Sequence, residues 1–240
     1  MSLTICPPDV AGLAGLWTRS LLRTDEGDDR ATMVAWAQGP SLFVDLRQPP
    51  DRPDFSHATH LEELTAQYCA WLARQQGFAG LFREENGVFW WQREIDFQPP
   101  AAMPDAGALF WEGETLVETG HFCAYLEHWH RTPNHPPLPC GALRLRREAD
   151  GRAAIFVRAG ECFMFARGRA PGVVPHGASL SEAVAKATTV SAAQALLDCE
   201  ISLGITMDWQ ITHSTLPFRE GVIFDLAGWE IMFAEGEYGL

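Results

Sequence analysis

The chain has 240 residues, 47% of them hydrophobic and 20% charged, and its 18 Lys+Arg against 31 Asp+Glu give a formal net charge of −13. This balance excludes disordered, collagen-like and coiled-coil architectures and opposes electrostatic attraction to nucleic acid or anionic lipid. Nine Trp and fourteen Phe point to a core built on aromatic side chains.

No apolar run approaches the roughly 20 residues that span a bilayer as a helix. The opening segment lacks a basic stretch followed by an apolar one, so no secretory signal is expected. The six cysteines, Cys6, Cys69, Cys123, Cys140, Cys162 and Cys199, are scattered without a CxxC pair. Together these features predict a cytoplasmic protein with reduced thiols and neither membrane nor nucleic acid as partner.

Short aromatic and β-branched segments recur between turn signals, the pattern of an all-β barrel or sandwich. Segments 17–23, 31–38 and 41–47 read as consecutive antiparallel strands joined through 25–29 and the Gly39-Pro40 turn. Over 61–76 the period changes: Leu61, Leu64, Tyr68, Trp71 and Leu72 share one helical face. Thr59 and Glu62 are spaced as a capping box for that helix, and Gly77 stands at its C-terminal cap.

Strands resume at 78–83 and 88–97, turning through Asn86-Gly87, and continue at 108–112, 115–118 and 121–131. A proline-rich loop at 133–139 is the best internal boundary. Segments 142–147, 153–158 and 162–167 follow, with Asp150-Gly151 as a hairpin turn. Helical turns are expected within 179–198, where Ser179 and Glu182 have capping-box spacing, and short strands near 201–204, 209–212, 222–224 and 229–233.

The Gly15-Leu16-Trp17 sequence, leading into the first strand of a mainly antiparallel chain, resembles the G-x-W start of the lipocalin and calycin superfamily. Within 91–129, Asp96-Phe97, Leu109-Phe110, Glu118-Thr119-Gly120 and Tyr125-x-Glu127-x-Trp129 look like a small fungal lipocalin-like family of casein-kinase interactors. The resemblance covers roughly the first half and implies an antiparallel β-barrel with minor helices. It also implies that Trp17 closes one barrel end beneath a basic residue from a late strand, for which Arg219 is the named candidate. The chain exceeds a minimal barrel, so residues 1–132 read as a lipocalin-like barrel or half of one. Residues 141–240 read as a second β-rich half that either completes that barrel or forms another.

Fold does not fix function, so the site must be argued from residues. In 88–97 both parities begin with large apolar side chains, and either Trp90 or Trp91 could line a ligand cavity. His128 and His130 point the same way on a strand and could share a metal with His135 or Cys140, but no established zinc spacing is present. Asp54, His57, His60 and Glu63 are three apart and read as caps and loop residues. A haem would need one histidine over an apolar pocket, which His121, His176 and His213 could each supply. No nucleophile elbow or phosphate-cradling loop appears, so no cofactor is assigned.

The segment around His213 and Arg219 carries polar side chains after an aromatic strand, and Arg219 could meet an oxyanion or pair with a nearby Glu. The expected function is binding of a small apolar or amphipathic ligand in a barrel cavity, through Trp36, Trp91, Arg93, His121, Tyr125, Trp209, His213 and Arg219. One alternative is an isomerase, decarboxylase or cyclase using a lumen His213 or Glu127 as base with Arg219 as anion anchor. Another is a protein-interaction module with a filled barrel. The sequence leans against enzymatic activity and leaves self-association open.

Overall fold

A computed structural model describes residues 8–132 and 138–239. The first half contains strands β1 (Gly15–Thr24), β2 (Gly27–Asp29), β3 (Met33–Gln38), β4 (Leu42–Gln48), β5 (Gln76–Glu85), β6 (Val88–Asp96), β7 (Asp105–Glu112), β8 (Thr115–Gly120) and β9 (Leu126–Arg131). All neighbours are antiparallel, and β1 pairs with β9, so that β1 and β3–β9 close an eight-stranded barrel. Strand β2 only extends the β1 hairpin. Closure satisfies both edges of the sheet, which an open sheet would expose as unpaired N–H and C=O groups.

Every barrel strand sends a large side chain into one contiguous cluster, which locates the interior: Trp17, Trp36, Phe43, Phe82, Trp91, Leu109, Leu116 and Trp129 among them. The helical segment between β4 and β5 is shorter than its periodicity suggests. It consists of a 3-10 turn, Leu61–Glu63, and a helix α1, Ala66–Leu72. The cap of α1 is Thr65, which accepts from the Tyr68 amide, whereas Thr59 bonds Glu63 rather than opening the helix. Gly77 is not a helix cap but lies in β5, where a Cβ would fall 2.7 Å from the Asp45 carbonyl and 2.8 Å from Ile201 Cδ1. Strand β9 is likewise shorter than expected, and His121 lies in the bend before it.

The second half forms a separate six-stranded sheet. Its strands are β10 (Cys140–Arg147), β11 (Ala153–Ala159), β12 (Cys162–Arg167), β13 (Glu200–Ile205), β14 (Gln210–Ser214) and β15 (Trp229–Gly236), ordered β14-β13-β12-β11-β10-β15. Helices α2 (Leu180–Ala185) and α3 (Val190–Leu197) connect β12 to β13, and Ser179 caps α2 as its spacing predicts. The expected strand at 222–224 is only an isolated bridge between Gln210 and Ile223.

One face of this sheet packs on the outside of the barrel. Ala142, Ile155, Val157, Met164 and Ile201 meet Ala35, Ala37, Val44 and Leu46 in a single buried cluster. Strands β3 and β4 are therefore covered on both faces, which explains their nearly continuous apolar runs. The other face stacks Phe156, Phe163 and Phe165 beneath Phe224. Glu235 of β15 ties the two sheets: its carboxylate accepts from the Ser41 and Leu42 amides at 2.9 and 3.0 Å and from the Ser41 hydroxyl at 2.8 Å.

Candidate functional site

The barrel interior has two levels. At one end Trp36 is wholly buried and packs against the rings of Trp17, Phe82, Trp91 and Trp129 at 5.8, 5.7, 6.0 and 5.5 Å. These rings occupy the space that a guest would need at that level. Trp17 donates from its indole to the Leu13 carbonyl at 2.8 Å, and the Arg131 guanidinium lies 4.7 Å from its ring. The basic partner of Trp17 is thus Arg131 from the last barrel strand, not Arg219, which instead donates to Glu200 at 2.9 Å.

At the other level, inward positions carry charge. Residues two apart on a strand share a face, so Arg19 follows Trp17 and Asp45 and Arg47 follow Phe43 into the interior. Arg19 bridges Glu127 at 2.5 Å and Asp29 at 2.9 Å, and Arg47 donates to Asp45 at 2.8 Å. Phe78 separates the levels, with Arg93 at 3.6 Å and Arg47 at 5.1 Å from its ring centre. Burial works against the Arg47 charge, but the Asp45 and Glu127 carboxylates outweigh it and raise its pKa.

Glu118 stands directly across the ladder from Glu127. It accepts from the Tyr125 hydroxyl at 2.6 Å and from the Trp129 indole N–H at 3.0 Å. Burial, followed by repulsion from Glu127 and Asp105, raises its pKa well above its ordinary value. The two facing carboxyls are partnered differently, Glu127 by the Arg19 guanidinium and Glu118 by two neutral donors.

Strand β6 connects the interior to an open cleft of about 810 Å³ on the barrel flank. Its walls are β6, the 98–105 loop and the 168–175 loop of the second sheet, with Trp90, Trp91, Ile95, Met103, Val174 and Arg93 among the lining side chains. Met103 and Val174 are about half exposed there. A smaller cavity of about 640 Å³ continues past Arg93, Asp96 and Gln98 toward Ser179. Arg93 binds Asp105 at 2.7 Å and Asp96 at 3.0 Å, while Glu94 is taken by Arg144 at 2.6 Å. Burial raises the Asp96 pKa against the opposing effect of Arg93.

The structure brings together only part of the expected set. Trp91 and Arg93 line the cleft, Trp36 fills the aromatic level, and Tyr125 holds Glu118. His121 lies outside the barrel beside Phe122 and Trp90, at 4.6 and 6.3 Å. Trp209, His213 and Arg219 belong to the region of the second sheet: Trp209 covers Phe163 at 5.5 Å and His213 lies on β14. His213 is therefore not a lumen base, and Arg219, bound to Glu200, is not an anion anchor beside Glu127. Trp90, unlike Trp91, faces outward against Phe122, under Arg83 at 5.3 Å.

His130 bonds Ser20 at 2.8 Å, and His135 lies outside the described residues. Among the described residues no group of three or more His, Cys, Asp or Glu is placed to hold a metal ion. Sequence reasoning missed Arg19, Arg47, Glu118 and Asp105. For Arg19 the signal was a charged residue two places from Trp17 on the same strand, which becomes legible only once the inward face is known.

No protein-family model and no curated protein matches this chain. Among solved structures, the uncharacterised protein YLR301w from Saccharomyces cerevisiae is similar at a TM-score of 0.49 and 11% identity, over 92% of this chain and 85% of that one. No described helix is long and apolar enough to cross a membrane.

Proposed function

We propose that the protein binds a small amphipathic molecule, held in the flank cleft rather than at the aromatic level of the barrel. The observation that carries this reading is the 810 Å³ opening lined by Trp90, Ile95, Met103 and Val174. Its volume falls in the range that encloses small ligands, and its apolar side chains are otherwise left to water. The buried Trp90 indole N–H has no acceptor among the described residues, and an incoming polar atom would supply one. Since Asp96, Asp105 and Glu94 are each engaged by an arginine, what remains for a guest is apolar surface and donor N–H groups. The lipocalin-like assignment is supported by Trp17 lying under Arg131 of the last barrel strand.

Titration with phenylnaphthylamine, a neutral dye that brightens in apolar sites, tests the reading. Ala101→Trp on the cleft rim should weaken binding about five-fold or more, a cost of about 1 kcal/mol. Ile231→Lys, on the exposed part of β15, should leave it unchanged. Sensitivity to Ile231→Lys alone would move the site away from the cleft.

A second reading, a protein-interaction module, is supported by Ile231, Met232 and Phe233, which are 46%, 54% and 41% exposed on the edge strand β15. It predicts that a purified casein kinase, the partner class the sequence resemblance implies, binds the wild-type protein and not Phe233→Lys.

A further inference from the structure

Of the charged side chains around the flank cleft, Arg169 is the exception. Arg93 has two carboxylates, and Glu94 is bound by Arg144. Arg83 reaches Glu85 at 2.5 Å. Arg169 makes no ion pair with any described carboxylate. It donates only to backbone carbonyls, to Leu196 at 2.5 Å, Asp96 at 2.8 Å and Phe97 at 2.5 Å. These three bonds hold the guanidinium rigidly at the cleft wall, beside the Phe97 ring at 5.6 Å. A guanidinium has five N–H donors, so three carbonyl bonds leave about two for a guest.

A carbonyl dipole is a weaker partner for a fixed cation than a carboxylate, so Arg169 carries charge that no direct ion pair balances, with Asp96 and Asp198 acting on it only from a distance. Burial lowers its pKa, the direction expected of a desolvated cation short of counter-charge. The net charge of −13 repels anions in general, and a local preorganised arginine is the means by which one could be held.

We propose that the guest of this cleft is an anionic amphiphile, with Arg169 binding its oxyanion head and Met103, Val174 and Trp90 covering its apolar body. The inference rests on the cleft reading above and adds the charge of the ligand and the residue that selects it. A carboxylate, sulfonate or phosphate head would present the same two-oxygen edge to the guanidinium.

Two dyes that differ only in the head separate this inference from the reading beneath it. Anilinonaphthalene sulfonate carries the oxyanion, and phenylnaphthylamine is the same molecule without it. In Arg169→Gln the dissociation constant of the sulfonate dye should rise about ten-fold, and that of the neutral dye should change by less than about two-fold. Because Arg169 also ties the second sheet to β6, the wild-type protein provides a measurement that needs no variant. At one fixed salt concentration, decanoate should displace the neutral dye from the wild-type protein at about ten-fold lower concentration than decanol, which has the same apolar body without the oxyanion.

Equal losses for both dyes in Arg169→Gln, or decanol displacing the dye as well as decanoate does, would overturn the oxyanion role while leaving the cleft reading intact. Failure of both dyes to bind the wild-type protein would overturn the cleft reading and this inference with it.

Discussion

The Tyr125 hydroxyl donates to Glu118 at 2.6 Å inside the barrel, and Glu118 in turn faces Glu127 across the β8–β9 ladder. The arrangement works as a set because each carboxyl has a different task. Glu127 balances Arg19, whereas Glu118 receives two neutral donors and has no cation as an ion-pair partner among the described residues.

This predicts a pH dependence. Glu118 has a folded-state pKa well above its unfolded value, so between the two the folded state binds more protons and stability falls as pH rises. The loss begins near the unfolded value of about 4.3 and continues toward the raised folded pKa. Glu118→Gln, which cannot ionise, should flatten the decline in melting temperature as pH rises above the unfolded value of about 4.3. A mutant whose profile parallels the wild type would exclude Glu118 as the titrating group.

Arg131 should act as the lid of Trp17. Its guanidinium lies over the indole and donates to the Gly12 carbonyl, bracing the 3-10 turn Ala11–Leu13 that covers the barrel end. Arg131→Ala should cost about 1–2 kcal/mol and make tryptophan fluorescence easier to quench with acrylamide. Arg219→Ala should leave the quenching unchanged, since Arg219 binds Glu200 on the other sheet.

Gly80 sits where β5 meets the bulge in β6, and a Cβ there would fall 1.9 Å from the Gln92 carbonyl oxygen. Backbone cannot yield as a flexible side chain can. Gly80→Ala should destabilise by about 3 kcal/mol or more, at the upper end of overpacking costs, in chemical denaturation. Gly113→Ala supplies the contrast: it meets nothing within 4 Å and strains only its left-handed turn, at φ 63°. Its cost should be about 1–2 kcal/mol.

The two sheets should depend on Glu235. Its carboxylate satisfies two amides and a hydroxyl at the β3–β4 turn, and Glu235→Ala leaves those amides in a partly buried setting without acceptors. A loss of about 2–3 kcal/mol is expected, and hydrogen exchange at Ser41 and Leu42 should accelerate. Glu230→Ala, which removes only an exposed pair with Arg146, should cost less than about 1 kcal/mol.

The amino-acid order by itself determined the elements whose causes are local. Asn86-Gly87 and Asp150-Gly151 mark turns because both pairs accept positive φ, as Asn86, Gly87 and Gly151 do. Ser179 caps its helix because a hydroxyl three residues before an amide can satisfy it. Strand β12 falls at residues 162–167 as its pattern predicts. Boundaries failed where packing overrode periodicity: α1 stops at Leu72 because the chain must enter β5 by Gln76 to pair with β4.

The abundance of aromatics signalled a core, but only tertiary structure decided which rings meet. The β1–β9 ladder joins Trp17 to Arg131, and that long-range pairing, invisible to local spacing, makes Arg131 rather than Arg219 the partner. Barrel closure also turns Arg19, Asp45 and Arg47 inward, while the second sheet places Arg169 against backbone carbonyls beside the cleft. A strand's period of two specifies that its side chains alternate, but not which face is the inside. That choice belongs to closure of the barrel and to the second sheet packed on its flank.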